Sequence, residues 1–189
     1  MLQRERSLHV RKRCQAGFTL VELLVVVAVA AILLAIGVPA MQSLISSNQL
    51  TSLADDFASA LNMARSEAGK RGTRVKVAST SGSVDWGTNG WTMNVINPDG
   101  SLGALLRQGA PVPAAYTLYS TSNFSPSLSF DSTGRLYGGG TGEFVICRTS
   151  GGEARMITLA ASGRVRVAPN NNLGQPIDDG GTAVTTCTP

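Results

Sequence analysis

Side chains that carry most enzyme chemistry are scarce in this sequence. Its one histidine, His9, lies in an N-terminal stretch with Arg4, Arg6, Arg11, Lys12 and Arg13. Beyond residue 17 there is no imidazole. That excludes Ser-His-Asp and Cys-His nucleophile activation, and histidine-bearing metal sites, from the body of the chain. The cysteines are Cys14, Cys147 and Cys187. The two outside the basic stretch are too few for a structural zinc site, but they can form one disulfide. The expectation is a chain that is no enzyme and uses no cofactor or metal.

One constellation could bind something. In Gly163-Arg164-Val165-Arg166, an extended backbone places the two arginines on one face, about 6.6–6.8 Å apart along the strand. Planar guanidinium forks at that spacing suit neighbouring phosphates of one nucleic-acid strand. A solvated strand face is the plain alternative. Arg148 and Arg155 are candidate helpers if their strands lie alongside.

Other patterns are weaker. Gly138-Gly139-Gly140-Thr141-Gly142 lacks the Lys-Ser/Thr ending and the following helix of a phosphate loop, and reads as a hairpin loop. Asp178-Asp179 lacks the further oxygen ligands of a calcium loop. Trp86 and Trp91 could be binding aromatics, although Trp91 sits in an alternating strand and reads as core. Asn123-Phe124-Ser125 matches a glycosylation sequon by chance.

The elements that must position these residues begin with an apolar run. Formal charge is +4, and the first 17 residues account for all of it; the other basic and acidic side chains balance. From Phe18 to Val38 the only charge is Glu22. At 1.5 Å per residue this segment spans roughly 30 Å, the hydrocarbon thickness of a bilayer. The basic flank stays cytoplasmic by the positive-inside rule, so the segment after Met41 is exported. A secretory signal with Val38-Pro39-Ala40 as its cleavage site leaves Glu22 unexplained, because a carboxylate in an apolar helix usually marks a partner.

Leu50, Leu53, Phe57, Leu61, Ala64 and Ala68 then follow helical spacing. One helix is expected over about 19–68, bent or loosened at Gly37 and Pro39, and ended by Gly69 and Gly72. From Thr73 the period becomes two. Strands are expected near 73–77, 90–96, 104–107, 116–119, 128–131, 134–137, 143–148, 155–160 and 164–168. The fold class is α+β, with an antiparallel β-sheet head packed on the second half of the helix. Residues from about 169 to 181 are rich in Asn, Gly and Asp and read as a flexible segment tied down near Cys187.

Gly17-Phe18-Thr19-Leu20-Val21-Glu22, with the apolar run and Pro39 behind it, resembles the signal of type IV pilins and pseudopilins. The resemblance implies that a prepilin peptidase cuts between Gly17 and Phe18 and that Phe18 is N-methylated. It also implies that Glu22 pairs with the N-terminal amine of a neighbouring subunit, which relieves a charge otherwise alone in lipid.

Further on, the order Ala64-Arg65-Ser66-Glu67-Ala68, Gly90-Trp91, Phe130 before Gly134, Cys147, Arg155-Met156-Ile157-Thr158-Leu159 and Ser162-Gly163-Arg164 is similar to GspH/FimT-type minor pseudopilins. These imply a leader over 1–17, a helix over 18–68 that crosses the inner membrane at about 18–39, and a periplasmic head over 69–189. FimT-like relatives bind DNA in natural transformation through a Gly-Arg-x-Arg motif, here Gly163, Arg164 and Arg166. The expected function is that of a minor type IV pilin contributing to pilus biogenesis and DNA uptake, with other pilins, the inner membrane and DNA as partners. The alternative is the H pseudopilin of a type II secretion system. Export also places Cys147 and Cys187 in an oxidising compartment, where they are expected to pair.

Mass spectrometry of membrane-extracted protein should find a mature chain that begins with methylated Phe18. A mature N-terminus at Met41 would instead make the segment an ordinary secretory signal.

Overall fold

A computed structural model describes residues 18–178, 181–184 and 187. The chain divides into two compact units, one ending at Ser43 and the other spanning Leu44–Pro189. Helix α1 (Leu20–Arg71) contributes to both. In the first unit its described residues are exposed throughout, including Phe18, Leu20, Leu24, Ile32 and Ile36. The backbone N–H of Glu22 donates to the Thr19 hydroxyl at 3.2 Å, closing the first turn. Pro39 is accepted within the helix. The helix ends at Gly72, which adopts φ +63°; Gly69, expected to share that task, stays helical. Glu67 holds the last turn through Arg71 Nε at 2.8 Å and Lys70 Nζ at 3.5 Å.

In the second unit the antiparallel strands form two sheets. The first has the order β3-β2-β1-β5, from β1 (Val75–Ser79), β2 (Trp91–Ile96), β3 (Leu102–Gly109) and β5 (Ser127–Phe130). The second has the order β4-β6-β7-β8, from β4 (Tyr116–Ser120), β6 (Gly142–Arg148), β7 (Ala154–Leu159) and β8 (Val165–Val167). Alternation decides which side chains enter the core. Val75, Val77, Met93, Leu128 and Phe130 from the first sheet, and Leu118, Phe144, Ile146, Ile157 and Leu159 from the second, join Leu50, Phe57, Leu61 and Ala64 of the helix in one cluster. Phe57 is its hub, edge-on to Phe144 at 4.8 Å, Trp91 at 5.7 Å and Trp86 at 6.0 Å. Both tryptophans are buried, and Trp86 Nε1 donates to the Ser120 hydroxyl at 3.0 Å. They are core residues, not binding aromatics.

The strand expected over 134–137 does not form. Asp131 Oδ1 accepts from the backbone N–H groups of Thr133 at 2.8 Å and Arg135 at 3.1 Å. That folds the chain into a turn, leaving a single bridge between Phe130 and Leu136. Gly138–Gly140 are exposed and lead into β6, so no helix N-terminus faces that loop.

The outer face of the second sheet carries a smaller cluster of Val145, Cys147, Ala154, Met156 and Ala168, covered by Val184 and Cys187. Cys147 and Cys187 are joined, with Cα atoms 5.7 Å apart. The Asn170 amide bridges the carbonyls of Ala154 at 3.1 Å and Gly174 at 2.7 Å. A polar segment thus holds its shape through side-chain-to-backbone bonds.

Every residue of both clusters lies at or beyond Leu50. The unit from Leu44 therefore contains its whole core and its disulfide, and folds without the exposed apolar half of α1. The bridge closes a loop over a separation of 40 residues, worth about 4 kcal/mol in the chain-entropy treatment. Replacing both cysteines by serine should lower the unfolding free energy of this unit by about 2–4 kcal/mol in urea titrations. The same substitutions in a reducing buffer should change nothing further.

Candidate nucleic-acid interface

The arginine motif lies on the turn from β7 to β8. Gly163 N–H donates to Ala160 O at 2.8 Å, and Ala160 N–H to Arg164 O at 3.0 Å, closing a tight loop. Gly163 is buried with φ +77°. A Cβ there would lie 1.9 Å from the carbonyl oxygen of Gly134. Two independent constraints, backbone conformation and close approach, therefore require glycine. Gly134 itself has φ +77°, and its carbonyl accepts from Arg65 Nε of α1 at 2.9 Å. The motif's glycine is thus a packing element that locks the β7–β8 turn against the turn after β5.

Arg164 follows this contact and is exposed. Val165 and Val167 pack against the main cluster, so Arg166 points to the outer face, where it is exposed. That face is shared. Cross-strand pairing aligns Glu143 with Thr158 and Thr158 with Arg166. Two strand spacings, roughly 10 Å, separate the Cα atoms of Glu143 and Arg166, within reach of their two long side chains over a threonine. A carboxylate in this row competes with a phosphate for Arg166. Arg164, one residue before β8, has no place in this cross-strand row.

Arg148 and Arg155 do not join the pair. Arg155 alternates with Met156 and shares the helix-facing side with Ile157 and Leu159; its Nη2 donates to Thr51 Oγ1 of α1 at 3.2 Å and its Nη1 to the Ala154 carbonyl at 2.9 Å. Arg148 lies on that same side by alternation with Cys147. The assumption that adjacent strands bring the arginines together fails because odd and even positions face opposite ways.

The contact between Gly134 and Gly163 brings in a cation missed by motif reading. Arg135 follows Gly134 as Arg164 follows Gly163, and both are exposed on abutting turns. Asp131 sets the Arg135 turn. The Thr133 hydroxyl, donating at 2.6 Å, holds its carboxyl below the usual aspartate range, with help from the Arg135 and Thr133 backbone N–H groups and the Arg135 charge. The only sequence signal was a second Gly-Arg dipeptide, which is meaningless until the turns are seen to touch.

Of the other expected site residues, Phe18 is 79% exposed and Glu22 is in the exposed first turn. Gly17 and Asp179 lie outside the described residues. Among the described residues no three histidine, cysteine or acidic side chains are grouped as metal ligands.

The family model described as type II transport protein GspH matches residues 53–163, more than half of the chain. The chain belongs to this family. A second model, the prokaryotic N-terminal methylation motif, matches residues 12–38 and includes Gly17, Phe18 and Glu22. Among solved structures, the type IV minor pilin FimU of Pseudomonas aeruginosa is 24% identical, over 74% of this chain and 96% of its own, with a TM-score of 0.57. The minor pseudopilin EpsH of the Vibrio cholerae type 2 secretion system is 15% identical, over 63% of this chain and 95% of its own, with a TM-score of 0.50. These likenesses establish the fold, a long N-terminal helix packed on antiparallel sheets. No curated protein matches the chain.

Replacing Gly163 by alanine should destabilise the head by about 1–3 kcal/mol, because a strained turn and a backbone clash coincide. Thermal or urea unfolding will report it. An Arg164→Gln control should leave stability within about 0.5 kcal/mol, as expected for an exposed side chain.

Proposed function

We propose that this protein is a minor pilin that enters a filament through its N-terminal helix and captures DNA with its head. The observation that carries the assembly half is the helix face from Phe18 to Ile45, apolar and exposed, interrupted by the single carboxylate of Glu22. Such a surface belongs in lipid before assembly and against other helices after it. After cleavage at Gly17, Glu22 would meet the methylated amine of a neighbouring Phe18, an ion pair that offsets its burial. The leader would remain cytoplasmic and the head periplasmic.

Arg164 and Arg166 support the DNA half. Both are exposed next to a turn that packing holds rigid, so the backbone that carries them needs no ordering when a phosphate binds. Arg135 adds a third cation from the abutting turn. Sequence-independent contact with the sugar-phosphate backbone is the chemistry that suits them. The head of a secretion pseudopilin, the second reading, has no need of this arrangement. The expected affinity is weak, in the range of ~10⁻⁴–10⁻⁶ M, and is raised when several heads act along one filament.

The unit from Leu44 should bind duplex DNA with a shallow salt dependence, a log–log slope of roughly −2 to −4. Changing Arg164 and Arg166 to glutamine should abolish most of that binding without altering the unfolding midpoint. In cells transformation should fall while filaments still assemble. A double variant that binds the duplex as well as the parent would leave the arginine pair a solvated strand face, and a head that binds no DNA at all would favour the secretion reading.

A further inference from the structure

We propose that the outer face of the first sheet is a second nucleic-acid contact surface, taking a single strand of DNA led onto it from Arg164. This inference rests on the DNA-capture reading and extends it to residues that no motif marks.

Charge is distributed unevenly between the sheets. The four strands of the first sheet contain no carboxylate, and their two cations divide between its faces: Arg107 pairs with the buried Met93 and lies 5.7 Å from the Trp91 ring, on the helix side, which leaves Lys76 on the outer face. Val75 and Val77 are buried in the core, so Arg74 and Lys76 share the opposite, solvent-facing side of β1. Pairing places Lys76 between Asn94 of β2 and Ser129 of β5. The cation is flanked by uncharged hydrogen-bonding side chains, a suitable floor for a phosphodiester backbone.

Tyr137 supplies what a single strand needs. Its backbone N–H donates to Ser129 O at 2.8 Å, which fixes it beside β5. The Arg74 guanidinium carbon lies 4.3 Å from the ring centroid, while the residue remains 60% exposed. Tyr137 stands between two shallow grooves, one lined by Arg71, Arg74 and Asp131, the other by Asn123, Phe124 and Ser129. An arginine-backed aromatic ring facing solvent beside the outer face that carries Lys76 is a stacking platform for an unpaired base. Bases in a duplex are stacked on one another and do not present their faces in this way.

The surface is continuous with the arginine turn. Leu136 is buried, so Arg135 and Tyr137, either side of it, both face outward. Arg135 adjoins Arg164 through the Gly134–Gly163 contact. A strand can pass from Arg164 over Arg135 and Tyr137 to Arg74 and Lys76. Of the nearby carboxylates, Glu67 is paired with Lys70 and Arg71, whereas Asp131 is hydrogen-bonded within its own turn and keeps its charge, which the strand must pass beside Arg135 and Arg74.

Fluorescence anisotropy with the unit from Leu44, labelled oligothymidine and a duplex of equal length will test this. Tyr137→Ala should weaken single-strand binding by roughly tenfold and leave duplex binding unchanged; Tyr137→Phe should retain both. Arg74→Gln with Lys76→Gln should weaken single-strand binding and flatten its salt slope by about 1.5. If these variants bind the single strand like the parent while Arg164→Gln with Arg166→Gln abolishes binding, the face is not a contact surface and the arginine reading alone survives. If the sheet variants lose binding and the arginine variant keeps it, the face is the site and the arginine pair is not. A parent unit that binds neither probe overturns both.

Discussion

The carbonyl oxygen of Gly134 is where the helix and both sheets meet. It accepts from Arg65 of α1, belongs to the Asp131 turn that follows β5, and lies so close to Gly163 that no side chain fits between them. The two sheets share no strand; elsewhere they are joined by the Asp85–Tyr119 bridge, by backbone hydrogen bonds from Trp86 to Leu118 and from Ser120 to Val84, and by side chains packed on the helix. This one junction of three backbone segments sets the relation between the β7–β8 turn and the end of the first sheet. Because Arg164 and Arg135 each follow one of the touching glycines, it also sets where the exposed cations stand. The requirement for glycine at 163 is therefore one of packing, and the function of the arginine motif depends on it indirectly.

The helix divides its work by composition. Its first half has an exposed apolar surface in which Glu22 is the one charge. Its second half alternates small and large apolar residues at helical spacing and is buried on one side by the sheets. Alanines at 54, 58, 60, 64 and 68 let strands approach closely, and Phe57 fills the space between sheets with an aromatic cluster. The head is then stable as a unit of its own, with the disulfide fastening the terminal segment over the second sheet's outer face.

Beyond residue 17 the chain is electrically balanced, so any affinity of the head for a polyanion must come from arrangement. Acids are drawn into turns and into the helix end, where Asp131, Asp85 and Asp99 accept hydrogen bonds from hydroxyls and backbone N–H groups. The strands of the first sheet are left with cations alone. In the second sheet Glu143 shares a row with Arg166. Two basic regions of similar composition thus differ in how far their charge is available to a ligand.

The pilin-type signal was read from its resemblance to a known family; local chemistry alone was enough to read the long helix and its stripe, eight of the strands, and the pairing of the only two cysteines beyond residue 17. Each of these depends on periodicity, turn residues or counting over a short span. The alternation at 134–137 misled because the Asp131 carboxylate captured backbone N–H groups that a strand would have used. The division into two sheets, the inward aim of Arg155, the Glu143–Thr158–Arg166 row and the contact of Gly134 with Gly163 were not legible. They depend on which strands pair and in what register, and a shift of one residue in register reverses every side chain. That choice is made by burying apolar faces from distant parts of the chain around one helix, and only the tertiary structure contains it.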